Sequence, residues 1–249
     1  MMQPGFYNMD CMDALPQFPD KFFDLAIVDP PYGGGAENIN EPENISGGGT
    51  DWSGPRGRFG GKGGRFDRYY IGEAHGRKMD EEVSAGTTGA ADIRNWDIAP
   101  PKEYFKELAR VSKNQIIWGG NYFDLPPTRC FIVWRKLNIP SEGFSMAPVE
   151  YAWTSFSQNA EYVEAFSARM ANEPERIHPT QKPIKLYMWL LERHAKPGMK
   201  IIDTHVGSGS SLIACARMGF EAWGFEIDER YYQMASERIK RELAQGTLF

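Results

Sequence analysis

The tetrapeptide Asp29-Pro30-Pro31-Tyr32 closes an apolar run, Phe22 to Val28, and brings together groups suited to an exocyclic amine. An amine conjugated to a heteroaromatic ring is a poor nucleophile because its lone pair is delocalised. Acceptors on both of its hydrogens draw the nitrogen toward tetrahedral geometry. The Asp29 carboxylate and the Pro30 carbonyl are the two acceptors on offer, Pro31 stiffens the turn and contributes no N–H, and Tyr32 can stack on a base. The chemistry such a set suits is methyl transfer to a base amine. A strand that merely runs into a proline-rich loop carries the same letters, so a second site in the chain has to decide.

That second site begins at Lys200. Lys200-Ile201-Ile202-Asp203 predicts a short buried strand, and Gly207-Ser208-Gly209-Ser210-Ser211 predicts a tight turn opening a helix from Leu212 to Met218. Glycines let backbone approach a ligand closely, and the N–H groups of a helix start suit a carboxylate or phosphate. A further strand, Glu221 to Phe225, ends at Glu226, with Asp228 two residues on. An acidic residue at that place in a βαβ unit receives ribose hydroxyls. The turn has neither the Gly-x-Gly-x-x-Gly spacing of a dinucleotide site nor the Gly-Lys-Ser/Thr of a phosphate loop. The ligand it predicts carries ribose and a small anion, without needing phosphate.

Together these segments resemble the DNA amino-methyltransferases that use S-adenosylmethionine, in their permuted β-type, where the catalytic segment precedes the cofactor segment. Tyr7-Asn8-Met9-Asp10-Cys11 is similar to the family's cofactor-adenine segment, and His178-Pro179-Thr180-Gln181-Lys182-Pro183 to the element that comes just before the glycine turn. The resemblance spans nearly the whole chain. It implies a Rossmann-like methyltransferase fold, with Asp29, Pro30, Pro31 and Tyr32 at the reaction. It also implies Asp10 and Cys11 beside the cofactor's adenine, and Thr180, Gln181 and Lys182 near its methionine carboxylate. Asp203 and the turn Gly207, Ser208, Gly209 would surround the amino acid moiety, with Glu226 and Asp228 on the ribose. One departure stands out: the family pattern is Asp-Pro-Phe-x-Gly-x-Gly, and this chain reads Asp203-Thr204-His205-Val206-Gly207-Ser208-Gly209. His205 either packs flat against the cofactor in place of the aromatic residue or hydrogen-bonds within its own loop.

What the resemblance implies about activity is transfer of methyl to adenine N6 in duplex DNA after the base is flipped out. The leading Asp of the tetrapeptide goes mostly with adenine in this family and a leading Ser with cytosine. Cytosine N4, an RNA substrate, or a DNA-binding relative that has lost transfer through the His205 loop are the alternatives. No nuclease-like segment accompanies the motifs, which fits a stand-alone modification enzyme better than one with a restriction partner. Family members often pair as homodimers, although no apolar stripe here demands it.

The net charge of −5 looks unsuited to a polyanion, yet its distribution is uneven. Arg56, Arg58, Lys62, Arg65, Arg68, Arg77 and Lys78 face only Asp67 and Glu73 between them, interleaved with Phe59, Phe66, Tyr69 and Tyr70. Such a strip can track a phosphate backbone. It lies within a glycine-rich stretch poor in aliphatic residues, about 33–95, which predicts an insertion into a single domain covering 1–249. The alternative is a solvated loop without contacts. With 41% hydrophobic residues in 249, the chain is long enough for one buried α/β domain. Cys11, Cys130 and Cys215 form no C-x-x-C pair, which points away from zinc and disulfides and toward a reducing cytoplasm. No metal requirement is visible, no apolar run reaches membrane-spanning length, and the N-terminus lacks a charged region followed by an apolar core.

These residues need a scaffold that brings them together. The periodicities predict a doubly wound, mostly parallel sheet. Its helices are expected at Asp10 to Phe18, Pro101 to Val111, Lys182 or Pro183 to His194, and Glu229 to Leu243. Its strands are expected at Asp24 to Val28, Gln115 to Trp118, Cys130 to Trp134 and Val149 to Thr154, besides the two around the glycine turn. Such a sheet must bring Asp29 and Asp203 to its carboxyl edge, where open α/β sheets bind ligands. Trp118-Gly119-Gly120-Asn121-Tyr122-Phe123 and Trp134-Arg135-Lys136-Leu137-Asn138 follow strands and resemble later family motifs around the target base. Asn121, Tyr122 or Lys136 either shape that pocket or serve packing and solvation alone. His178 and His194 are expected to be structural, because the reaction needs no general base before attack.

Overall fold

The computed structural model describes residues 2–33, 98–137, 139, 147–165 and 176–246. The basic strip Arg56 to Lys78 and nearly all of the expected insertion lie outside the described residues. The elements in chain order are β1 (Gly5–Asn8), α1 (Cys11–Ala14), β2 (Phe23–Val28), α2 (Lys102–Val111), β3 (Ser112–Trp118), β4 (Phe131–Lys136) and β5 (Val149–Thr154). There follow β6 (Glu161–Ala165), α3 (Ile184–His194), β7 (Lys200–Asp203), α4 (Ser210–Arg217), β8 (Glu221–Glu226) and α5 (Glu229–Gly246). All eight strands join one sheet in the order β1-β8-β7-β2-β3-β5-β4-β6. Only β5 runs against its neighbours; the other pairings are parallel.

β2 lies in the middle of this order, and its sequence shows why. A strand covered on both faces reads as a continuous apolar run. Leu25 and Ile27 join one core with Ile116, Trp118, Trp134 and the α3 residues Leu186, Leu190 and Leu191. Ala26 and Val28 point the other way, into a core with Leu15, Phe18, Tyr104, Leu108, Val111 and Phe225. At the opposite end of β2, Asp24 fixes both neighbouring strands. Its Oδ2 accepts from the Lys200 N–H at 2.9 Å, and its Oδ1 pairs with Lys113 Nζ at 2.6 Å.

Several boundaries differ from the sequence reading for local reasons. The helix expected over Asp10 to Phe18 is α-helical only through Ala14, and Pro16 sits in a 3₁₀ turn over Leu15–Gln17. Proline tolerates the first turn but not the next, where its missing N–H is needed. The α2 helix starts with Pro101 as its N-cap. Strands β1 and β6 have no counterpart among the expected elements. Both are short and lie at the two edges of the sheet, and neither GFYN nor EYVEA alternates clearly in burial. Among the described residues no helix is long and apolar enough to cross a membrane.

Candidate active site

β2 and β7 are neighbours, with Leu25 opposite Ile201 and Ala26 opposite Ile202. They therefore deliver Asp29 and Asp203 side by side at the carboxyl edge, and β8, paired with β7, brings Glu226 to the same edge. β1 pairs with β8 through Asn8 and Glu226, which adds Asp10 and Cys11. The first and last quarters of the chain thus meet at one line of carboxylates.

Asp29 is held from two sides. Its Oδ1 accepts from the Tyr32 hydroxyl at 2.9 Å, and its Oδ2 is paired with the Lys182 ammonium, 153 positions away in sequence. Burial pushes the Asp29 carboxyl up, Lys182 pulls it down, and the nearby Glu150 pushes it up again, with a net rise. Lys182 is itself buried, and its pKa is raised by Asp29 and Glu150 against the cost of burial. The sequence resemblance places Lys182 at an anionic group of a cofactor; here its ammonium meets two carboxylates of the chain, the second being Glu150 Oε2 at 3.1 Å.

One face of the Tyr32 ring is covered. Its ring stacks on Tyr122 with centroids 4.7 Å apart and an interplanar angle of 18°. The turn that follows β3 makes this close approach feasible. Gly119 has φ +66°, and a Cβ there would lie 2.1 Å from Tyr32 Cε1. Glycine is the residue that accepts such a φ without strain and leaves the space empty. Of the residues weighed for a base pocket, Tyr122 is therefore against Tyr32, and Asn121 is exposed beside it. Lys136 is buried and ion-paired to Glu150 at 2.5 Å, so solvation does not describe it.

The glycine turn is braced from both ends. Gly207 and Gly209 have φ of +52° and +82°. The Gly207 N–H donates to Glu226 Oε2 at 2.9 Å, and the Asp228 N–H donates to Glu226 Oε1 at 3.0 Å. These bonds aim the Glu226 carboxylate from the strand end. Asp228 caps α5, accepting from the Tyr231 N–H at 3.0 Å. Asp203 is almost fully buried; its oxygens accept from the His205 N–H at 3.0 Å and from the Ser211 hydroxyl. Burial nevertheless pushes its carboxyl up to about 7.

His205 hydrogen-bonds within its own loop. Its Nδ1 is 3.0 Å from the Thr204 hydroxyl, which is 2.6 Å from the Tyr104 hydroxyl, and its ring meets Tyr104 edge-on at 5.3 Å. Burial pushes its imidazole down to about 4, so it is neutral at pH 7. Asp10 caps α1 by accepting from the Met12 N–H at 2.8 Å, and burial raises the Cys11 thiol to about 12, which leaves it unreactive. Gln181 ties its own loop together, accepting from the Ile177 N–H at 3.0 Å, and the exposed Thr180 hydroxyl lies 3.1 Å from His178 Nδ1. His178 packs edge-on against Tyr231 at 4.4 Å, and His194 stacks on Phe156 at 4.8 Å.

Three contributors escape the sequence reading. Arg238 of α5 is buried and donates to the Ser208 carbonyl at 2.7 Å and the Ser210 hydroxyl at 2.9 Å, supporting the turn from beneath. Tyr104 supports the His205 loop, and Glu150 shares Lys182. Only Arg238 has a local signal: it follows Tyr231 and Ala235 on the buried stripe of an amphipathic helix, where a charge needs a partner. Among the described residues no group of His, Cys, Asp and Glu is arranged to hold a metal.

Known proteins resemble the chain in fold and over part of its sequence. The solved structure of M1.HpyAVI in complex with SAM superposes with a TM-score of 0.51 at 16% identity, covering 96% of this chain and 99% of that one. The cytosine-N4-specific DNA methyltransferase PvuII gives a TM-score of 0.53 at 11% identity over 98% and 93% of the two chains. At such identities the likeness establishes the fold, a Rossmann-like methyltransferase sheet. In sequence, the type II methyltransferase M.HpaI of Haemophilus parainfluenzae is 34% identical over 71 residues, which is 28% of this chain and 23% of that protein's length. A family model described as DNA methylase matches residues 117–237, a stretch that begins in β3 and takes in Glu150, Lys182, the glycine turn and Glu226. Asp29 to Tyr32 precede that stretch, in the permuted order, and reach it through the pairing of β2 with β7; residues 117–237 are thus similar to the DNA methylase family, and the whole chain shares the fold of the solved methyltransferases.

Proposed function

We propose that the protein transfers a methyl group from S-adenosylmethionine to the N6 amino group of adenine in DNA, on a base flipped out of the duplex. The observation that carries this reading is the meeting of a partly buried, doubly held Asp29 with the braced glycine turn on adjacent strands. One segment suits an amine and the other a nucleoside with an amino acid tail.

The chain's own groups fit such a cofactor. Glu226, with each oxygen already steered by a backbone N–H, has lone pairs left for the two ribose hydroxyls. Asp203 and the turn Gly207 to Gly209 suit the amino acid end, and Asp10 with Cys11 the adenine. Thr180 and Gln181 flank the same edge. When bound, S-adenosylmethionine supplies an electrophilic methyl group on a sulfonium, and a site rimmed by Asp29, Asp203 and Glu226 favours that positive charge.

Asp29 and the Pro30 carbonyl would then accept the two amino hydrogens, and Tyr32 would hold the base plane. Catalysis of this kind is positioning and electrostatics without a covalent enzyme intermediate. Flipping follows from geometry, because an amine inside the base pair cannot reach Asp29. The basic strip Arg56 to Lys78 would follow the phosphate backbone. Adenine is favoured over cytosine by the leading Asp of the tetrapeptide.

The test is incubation of the purified protein with unmethylated genomic DNA and S-adenosylmethionine, followed by digestion to nucleosides and mass spectrometry, beside Asp29→Ala. N6-methyladenine in the wild type, lost in Asp29→Ala with cofactor binding intact, is the expected result. N4-methylcytosine would reverse the base preference and keep the mechanism. Cofactor binding without a DNA product would move the substrate to RNA, and unchanged turnover in Asp29→Ala would sink the assignment.

A further inference from the structure

The carboxyl edge carries a row of alternating charges that neither recognised segment contains as a unit. It runs from Asp29 after β2 to Lys182 before α3, then to Glu150 on β5 and Lys136 on β4. The side chains of Lys182 and Lys136 are 3% and 9% exposed, so both ammonium groups are nearly out of water. Each lies over an indole, Lys182 over Trp118 at 5.2 Å and Lys136 over Trp134 at 5.3 Å. Replacing such a buried ionic row by apolar residues of the same volume commonly leaves a protein no less stable. Stability alone therefore accounts poorly for it, and the row ends on the carboxylate that the proposed reaction uses.

Geometry gives Glu150 a distinct part in this row. Lys182 Nζ is hydrogen-bonded to Asp29, whereas Glu150 Oε2 lies 3.1 Å from the same nitrogen outside hydrogen-bonding geometry, and Glu150 Oε1 is tied to Lys136. We infer that Glu150 is a positioning residue for the methyl transfer: acting through Lys182, it divides the ammonium's attraction, so that Asp29 is held in place without being fully neutralised. The inference rests on the reading of Asp29 as the acceptor of the amino hydrogens. An acceptor whose charge were wholly matched by one ammonium would attract those hydrogens less strongly.

The groups facing Asp29 all enter this balance. They are the Tyr32 hydroxyl, Lys182, Glu150, Tyr187 of α3 and Asp203 at the end of β7. Burial and Glu150 raise the Asp29 carboxyl, while Lys182 and the Tyr32 hydroxyl lower it. Neutralising Glu150 removes a repulsion and leaves Lys182 undivided, and both changes push Asp29 down. Removing Lys182 pushes it up.

The experiment compares wild type, Glu150→Gln, Glu150→Asp and Lys182→Met by the pH dependence of kcat on DNA and by melting temperature against pH without substrate. In Glu150→Gln the acid limb of kcat should move down by about one pH unit. The plateau should fall about tenfold as the hydrogen bonds to the amine weaken. Glu150→Asp should restore the limb, and Lys182→Met should move it the other way. Without substrate, Glu150→Gln should flatten the loss of stability as pH rises above the ordinary carboxylate range in the wild-type background. In Asp29→Asn it should remove only Glu150's own contribution, which Lys182 and Lys136 hold against the cost of burial and which is lost on acidification. An acid limb unmoved in a folded, active Glu150→Gln, or moved in the same direction as in Lys182→Met, overturns the role of Glu150 alone. A wild type inert on DNA overturns the functional reading itself. Should Glu150→Gln fail to fold, an acid limb in Glu150→Asp displaced by as much as in Lys182→Met overturns the inference.

Discussion

Replacing Lys182 by Met removes the buried charge that two partly buried carboxylates share and keeps a long apolar stem against Trp118. Asp29 and Glu150 each lie within contact of the same nitrogen, with side-chain exposures of 13% and 26%. Left without it they are at most about 6 Å apart, and repel by roughly 3 kcal/mol at an effective dielectric constant near 20. Breaking a buried pair in this way costs about 3–5 kcal/mol. For a chain of this size that is a fall in Tm of roughly 10 °C at pH 8. The deficit depends on pH with a definite sign. Loss of Lys182 raises the folded-state pKa of Asp29 further above its ordinary value. A raised carboxyl contributes stability that is present below the ordinary carboxylate range and is lost as pH rises through the folded value. The deficit should therefore be smaller at pH 5 than at pH 8, and Lys182→Met/Asp29→Asn should recover much of it. Thermal and urea melts of the three proteins at pH 5, 6.5 and 8 measure this directly. A deficit below about 1 kcal/mol, the value of an exposed pair, would refute the reasoning. So would a deficit that is equal at both pH extremes or unrelieved by Asp29→Asn.

Two further predictions concern the loops that shape the site. Asp203 has its carboxyl raised to about 7, so its contribution to stability is present below the ordinary range and is lost between about pH 4 and 7. Asp203→Asn keeps an acceptor for the His205 N–H and removes the titration. The stability difference between pH 5 and pH 8 should shrink by roughly 2–4 kcal/mol, and an unchanged pH profile in urea melts would contradict the burial argument. Gly119→Ala puts a methyl group into the Tyr32 ring at a left-handed backbone position. It should cost roughly 1–3 kcal/mol and separate Tyr32 from Tyr122. A variant with wild-type Tm and wild-type KM for DNA would show that the Tyr32 position is not held by this turn.

Much of the site was legible in the sequence because local chemistry encodes it. Four residues with the right acceptors after an apolar run, glycines where φ turns positive, and an acidic residue at the next strand end name the parts wherever the chain goes. The apolar run of β2 likewise announced a strand, and the two cores that it joins show that both of its faces are covered. Tertiary structure alone decided how the parts act on one another. That Lys182 meets Asp29, that Glu150 takes a share of it, that Lys136 is buried and that Tyr32 lies on Tyr122 all depend on strands pairing across long separations. β5 inserts antiparallel between β3 and β4, an order set by which faces pack best and by no local pattern. The short edge strands β1 and β6 were silent for a related reason: their backbone is ordered by a neighbour's hydrogen bonds, and their side chains carry little periodic burial to advertise it.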